Sequence, residues 1–338
     1  MIRRCIFFTL TLLLGANAPL VSCAANNTHA ASGQSTPTRY EFASIQMGSR
    51  CSITLYTDSE PRAAAAAEHA FDTIAAIEDA LSDYRPNSEA MRATAQPAGR
   101  WIAISPVLNE VLARSHEFFL LSSGAFDPSV GSITHLWRAA KREQRIPTPE
   151  QISQAQESVG FDLIELDRIN HRVRFQRPEM ILDFGAIGKG YAADEALRVL
   201  RTHGITVALV DMGGDLALGD PPPEHPEGWQ ISVQTGNSVG WSTRIHSAAI
   251  ATSGDLERYF EHNGVRYSHI LDPRTGMGIT APRAVTVIAP DSTTADAAAS
   301  IVSVLGQHAV PILEEAFPGI QIRIETGSPS GGPLPMNP

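Results

Sequence analysis

The most constraining stretch of this sequence is Asp183-Phe-Gly-Ala-Ile-Gly-Lys-Gly190, where three glycines separate an apolar run from a helical pattern. Residues 180–184 read as a short strand and residues 191–202 as a helix, so the chain must turn sharply between them. Glycine at such a turn lets the backbone approach a ligand closely, and the helix start that follows offers unpaired N–H groups to an anion. The spacing is neither G-x-G-x-x-G nor a Walker loop. No H-R-D loop or V-A-I-K strand accompanies the Asp-Phe-Gly triplet either, so the Rossmann, P-loop and kinase readings fall away. Taken by itself, a glycine-rich turn is more often structural than functional.

The pattern around this turn fixes the fold class. Residues 40–56 alternate as two strands meeting near Met47-Gly48. Residues 60–81 are Ala-rich, with Phe71, Ile74, Ile77 and Leu81 at helical spacing, and residues 107–121 form a second helix opened by Pro106. Further strands are expected at 207–212, 229–233, 244–251, 284–288 and 320–324, with a small-residue helix at 294–305. This alternation lacks a steady βαβ rhythm. It predicts an α+β fold: a two-lobed single catalytic unit with mixed or antiparallel sheets flanked by helices. A chain of 338 residues, 43% hydrophobic, has ample material for such a core.

Arg3 and Arg4 precede the apolar residues 5–14, and Leu20-Val-Ser-Cys23 follows. The apolar run is too short to span a bilayer, and its ending resembles a bacterial lipobox. The expected layout is a lipoprotein signal peptide over 1–22, Cys23 as the lipidated residue, a polar tether over 23–38, the catalytic domain over 39–326 and a flexible tail over 327–338. That layout predicts lipid anchoring in the bacterial cell envelope, facing the periplasm, with inner or outer membrane left open. Cys51 is then the one cysteine of the body, so the exported fold must be stable without an internal disulfide. The formal net charge of −10 argues against a nucleic-acid partner. It also means that a phosphate-bearing ligand would need a divalent cation to bring it in.

Two more stretches carry possible chemistry. In Tyr267-Ser-His-Ile-Leu-Asp-Pro-Arg-Thr-Gly276, His269 is the plausible proton acceptor, whereas Asp272 before proline reads equally well as an Asx turn. In Ser292-Thr-Thr-Ala-Asp-Ala-Ala-Ala-Ser300, Asp296 and Ser300 are four apart on a helix and can aim two hard oxygens at one Mg²⁺. The bland alternative makes Asp296 a first-turn acid that complements the helix dipole. The chain carries no H-E-x-x-H or C-x-x-C motif, which lowers zinc hydrolase and dithiol redox readings.

The order of the motifs adds what none supplies alone. Met47-Gly-Ser49, Ser82-Asp-Tyr-Arg-Pro-Asn-Ser-Glu89, Gly124-Ala-Phe-Asp-Pro-Ser-Val-Gly131, Leu182-Asp-Phe-Gly-Ala-Ile-Gly-Lys-Gly-Tyr-Ala-Ala-Asp194, Val210-Asp-Met-Gly-Gly-Asp215, Ala251-Thr-Ser-Gly-Asp255, the Ser268–Gly276 run and Ala295-Asp296 resemble, in sequence, the FAD:protein FMN transferase family (ApbE-type). The resemblance implies an Mg²⁺-dependent enzyme that transfers the FMN moiety of FAD to a Thr or Ser hydroxyl of an acceptor flavoprotein and releases AMP. By position, Met47, Tyr84, Ala125, Phe126, Asp127, Asp183, Lys189 and Ile270 would contact FAD. The Ala186 carbonyl, Asp296 and Ser300 would hold the metal, with Ser where the family commonly has Thr. His269 would be the base. The rival expectations are an Mg²⁺-dependent FAD pyrophosphatase giving FMN and AMP, and a flavin-binding lipoprotein without catalysis.

Overall fold

A computed structural model describes residues 37–234, 240–254 and 259–326. The expected signal peptide, Cys23, the tether up to residue 36, Asp255 and the tail lie outside the described residues.

The alternating segment forms β1 (Thr38–Gln46) and β2 (Ser49–Thr57), an antiparallel hairpin closed at Met47-Gly48 with φ of 49° and 71°. Positive φ at both positions matches the right-handed twist of the strands and suits glycine at the second. β1 begins at Thr38, one residue inside the expected tether. There follow α1 (Glu60–Leu81), α2 (Glu89–Thr94), β3 (Ile102–Ala103), α3 (Pro106–Leu121), α4 (Gly131–Arg142) and α5 (Pro149–Gln156). Next come β4 (Ile164–Asp167), β5 (Arg172–Phe175), α6 (Gly188–Thr202), β6 (Ala208–Met212), β7 (Leu216–Leu218), β8 (Trp229–Val233), β9 (Trp241–Ile245) and β10 (Ala248–Gly254). The chain closes with β11 (Tyr259–His262), β12 (Val265–Ser268), β13 (Leu271–Asp272), β14 (Met277–Gly278), β15 (Arg283–Ala289), α7 (Ser292–Leu305), α8 (Val310–Ala316) and β16 (Gln321–Thr326).

Seven strands make the main sheet in the order β1-β2-β6-β7-β10-β15-β16, and every neighbouring pair is antiparallel. Side-chain alternation divides the core between its two faces. Cys51, Ile53, Leu55, Ala208, Val210, Met212, Ala249 and Ala251 join the cluster that holds the buried residues of α1, α6 and α7. Tyr56, Leu218 and Ile250 join a second cluster with Trp229, Ile231 and Val233 of the β8–β9 ribbon. In α7, Ala295, Ala297, Ala298 and Ala299 are fully buried, and their small side chains let the helix lie close to the sheet and to α6. The stretch Ser292–Ala316 is long and apolar enough to cross a membrane by composition, yet its first half is core.

Two sequence expectations are corrected. Residues 180–184 do not form a strand: Ile181 makes a single bridge to Val130, after which the Asp183 amide turns to the Pro128 carbonyl at 2.7 Å. Residues 244–251 are not continuous either. The chain breaks at Ser247, whose φ is 48° and whose amide donates to the Gly219 carbonyl, so that β9 pairs with β8 while β10 enters the main sheet.

Candidate active site

The glycine turn is held by the Phe184 carbonyl, which accepts from the amides of Ile187 and Gly188 and launches α6. Two positions on, the Gly190 amide donates to Oδ2 of Asp296 at 3.1 Å. A Cβ at Gly190 would sit 2.2 Å from the Ser292 carbonyl oxygen and 2.9 Å from the Asp296 Cβ, so only glycine permits this approach of α6 to α7. Asp194, one turn further along α6, accepts from the Ser292 and Thr293 amides at 2.8 Å each and from the Thr293 hydroxyl at 2.6 Å. Asp291 caps the same helix by accepting from the Thr294 amide. Two carboxylates thus satisfy the first N–H groups of α7, where the helix dipole favours negative charge.

The interior end of this contact is strongly acidic. Lys189 pairs with Asp215, which lies in the turn between β6 and β7 and is 2% exposed. Burial pushes the Asp215 carboxyl above the ordinary value, and Lys189 pulls it back. Burial first, then the nearby Asp215, pushes Asp296 up to about 7, against the opposing pull of Lys189 and the Gly190 amide. Burial likewise pushes Asp194 up to about 6. One ammonium therefore faces more carboxylate than it can neutralise, and a bound cation would relieve that excess.

The donor chemistry fits Mg²⁺. Asp296 is buried, Ser300 is half-buried one helical turn on, and Ala186 lies in the glycine turn four residues before Gly190. All three offer hard oxygen, the ligand type that Mg²⁺ takes. Among the described residues, no group of three or more His, Cys, Asp and Glu is placed to hold a metal ion.

A second set of contacts lies around Asp183. Its Oδ1 accepts from the Gly185 amide at 2.8 Å, and its Oδ2 accepts from Arg138 Nη2 at 3.2 Å. Burial raises the Asp183 carboxyl, Asp83 adds to the rise, and Arg138 opposes both. Arg138 also pairs with Asp83 and lies over the Tyr84 ring, 4.2 Å from its centroid. His135 reaches Asp83 at 3.1 Å, and these hydrogen bonds and charges hold the Asp83 carboxyl below its ordinary value although burial opposes them. Met47 joins the site through its methyl, which lies 3.5 Å from where a Cβ on Gly188 would stand.

The turn at 124–131 runs alongside, with the Gly131 amide on the Ile181 carbonyl. Here the structure gives a structural part to residues expected to touch FAD. Ala125 and Phe126 are buried, the latter ring packing on Phe118. The Asp127 carboxylate accepts from Ser129 and from the Phe161 amide. His269 is exposed in the bend after β12, and neighbouring Ile270 is fixed by its amide to the Ser268 hydroxyl and its carbonyl to the Ile279 amide. Asp272 does form the Asx turn, accepting from the Arg274 amide at 3.0 Å. Trp137 ties this stretch to α4 by donating to the Gly276 carbonyl at 2.8 Å. Sequence reasoning missed Arg138, Asp194 and Asp215 as site residues. The motif Asp211-Met-Gly-Gly-Asp215 flagged the last, but nothing local signalled its pairing with Lys189.

The ApbE family model matches residues 47–324. The chain belongs to the ApbE family. It is 32% identical to the FAD:protein FMN transferase of Treponema pallidum over 308 residues, covering 85% of this chain and 84% of that one. The apo flavinyl transferase ApbE of Pseudomonas stutzeri superposes with a TM-score of 0.76 at 27% identity, over 85% of this chain and 90% of that one. The ApbE protein of Thermotoga maritima does so at the same TM-score and 30% identity, over 86% and 94%. These ApbE relatives span the described fold almost end to end. The mixed α+β architecture is shared with both ApbE structures.

Proposed function

We propose that this chain transfers the FMN moiety of FAD to a Ser or Thr hydroxyl of an acceptor protein, with Mg²⁺ and with release of AMP. The observation that carries the reading is the meeting of Lys189, Asp215 and Asp296 at the end of the glycine turn. That place suits a diphosphate: an ammonium on one side, and a carboxylate surplus that calls for a cation on the other. When bound by the Ala186 carbonyl, Asp296 and Ser300, Mg²⁺ would supply charge neutralisation for the diphosphate and the departing AMP. The chain's residues do the rest. Lys189 and the turn hold the phosphates, and His269 takes the proton from the acceptor hydroxyl. That oxygen forms its bond to the flavin-side phosphorus as the bond to the bridging oxygen breaks, and AMP carries that oxygen away.

The exposure of His269 favours one second reading, hydrolysis of FAD to FMN and AMP with water as acceptor. Incubation with FAD, Mg²⁺ and an acceptor peptide of Asp-x-x-Gly-Ala-Thr type, read by intact mass and AMP release, separates the two. AMP without a gain of FMN on the peptide refutes transfer, and tight FAD retention without AMP refutes both. His269→Ala should retain FAD and lower transfer by about 10²–10⁴-fold, and unchanged transfer would show another base.

We also infer that Cys23 is lipidated and anchors the protein in the bacterial envelope, facing the periplasm. The Leu20-Val-Ser-Cys23 run after a charged, apolar leader supports this. Cys23→Ser should move the protein from the membrane to the soluble fraction, and persistent membrane association would refute it.

A further inference from the structure

Arg138 holds together three residues that come from separate parts of the chain. Its guanidinium nitrogens face the carboxylates of Asp83 and Asp183, and its central carbon lies over the Tyr84 ring, 4.2 Å from the centroid. Tyr84 is 74% exposed, in contrast to the buried aromatic rings of the core. An exposed aromatic ring on a short connecting segment can swing between its few χ1 rotamers, and fixing one costs some entropy on binding. An arginine stacked on the ring and itself fixed by two carboxylates removes that freedom in advance. His135 steadies the arrangement by reaching the same Asp83 oxygen at 3.1 Å. The arrangement stands beside Asp183, whose other oxygen holds the Gly185 amide of the glycine turn. A flat ligand ring stacked on Tyr84 would therefore have its linker directed toward the phosphate end of the site.

We propose that Arg138 is the positioning residue for the flavin end of this site, orienting the Tyr84 ring so that the isoalloxazine of FAD stacks on it. The proposal rests on the FAD reading above. It concerns ring binding and not the transfer step, so the two fail separately. Arg138 acts through Tyr84 and Asp183 and touches none of the reacting atoms. Its loss should therefore weaken flavin binding while leaving turnover at saturating FAD nearly intact.

The test is a double-substitution cycle read by quenching of flavin fluorescence, with FMN and FAD as probes and AMP as competitor. Arg138→Met should weaken FMN and FAD about tenfold, leave AMP competition unchanged and keep kcat within about threefold. Arg138→Lys keeps the ion pairs without the planar stack and should recover part of the loss. Tyr84→Ala should cost as much as Arg138→Met, and adding Arg138→Met to it should cost little more. If Arg138→Met weakens flavin equally with and without Tyr84, the coupling is absent and the proposal is overturned. It is equally overturned if AMP affinity falls in parallel, or if flavin affinity does not change. Should Arg138→Met fail to fold, Arg138→Lys carries the same cycle. Wild-type binding of FAD without AMP release overturns the transferase reading alone, and the cycle still decides the stack. No FAD binding by the wild type overturns both.

Discussion

The amide of Gly190 lies 3.1 Å from Oδ2 of Asp296, although 106 residues separate them in the chain. Backbone of α6 thus meets a carboxylate of α7 directly, and the close approach depends on the hydrogen that stands in place of a side chain at 190. Lys189 on α6 faces Asp215 beside the same carboxylate. The glycine turn and the first half of α7 are therefore one contact.

Gly190→Ala would drive its Cβ to 2.2 Å from a backbone oxygen that cannot step aside. We expect a stability loss of roughly 1–3 kcal/mol by overpacking, and transfer reduced further still. Gly188→Ala is the control, since its Cβ meets Met47 at an ordinary 3.5 Å. Thermal melts of the two variants should rank them clearly. Equal melting temperatures would contradict the packing described.

Lys189→Met leaves Asp215 buried without its ammonium. The expected cost at neutral pH is about 3 kcal/mol, as for a buried pair deprived of one partner. Protonation of Asp215 relieves it, so the gap from wild type should narrow as pH falls. The further change Asp215→Asn in the Lys189→Met background should recover stability without recovering transfer. Denaturant unfolding at pH 5 and 7.5 checks both.

Asp194 gives a pH signature. Its folded value of about 6 lies above its ordinary value of 3.8, so the folded chain holds this proton more tightly than the unfolded chain does. The stability it confers is complete below about pH 4 and is lost as pH rises toward 6. Asp194→Asn removes that slope. The melting temperature of the wild type should therefore fall relative to the variant between pH 4 and 7, and parallel curves would refute the assignment.

Asp296→Asn keeps the shape of the site and removes the charge. Transfer should drop on the order of a hundredfold or more and lose its dependence on Mg²⁺. Since Asp215 and Asp296 repel one another in the interior, the substitution should leave the melting temperature equal or higher. AMP release that still rises with Mg²⁺ as in the wild type would refute the metal assignment.

Much of this was legible in the sequence. The hairpin at Met47-Gly48, the helices at 60–81 and 107–121 and the small-residue α7 all follow from local periodicity and turn chemistry, and they appear as expected. The strand expected at 180–184 failed because its apolar residues are buried in the main core while its backbone makes one bridge and isolated bonds to residues 128–131, without a ladder of partners. The break at Ser247 was hidden because a serine with positive φ leaves no mark in a period-two pattern. At the site, glycine spacing and the Asp296–Ser300 interval were readable because both are local. Arg138 was not: its partners Asp83, Tyr84 and Asp183 lie 45 to 55 positions away, and only the packing of α4 makes it more than a polar residue on a surface helix. Asp194 escaped for the same reason, as the amides it holds belong to a helix nearly a hundred residues later.

Gly190 and Asp194 lock α6 to α7, whereas the Tyr84 ring is held from α4 by the Arg138 guanidinium; under the function proposed above, the fold separates reactivity from recognition. Exchanges at the Arg138 end would then alter which heterocycle is welcomed more than they alter the phosphorus chemistry. Such a division lets a lineage vary its choice of dinucleotide by single surface exchanges, without rebuilding the floor on which the reaction runs.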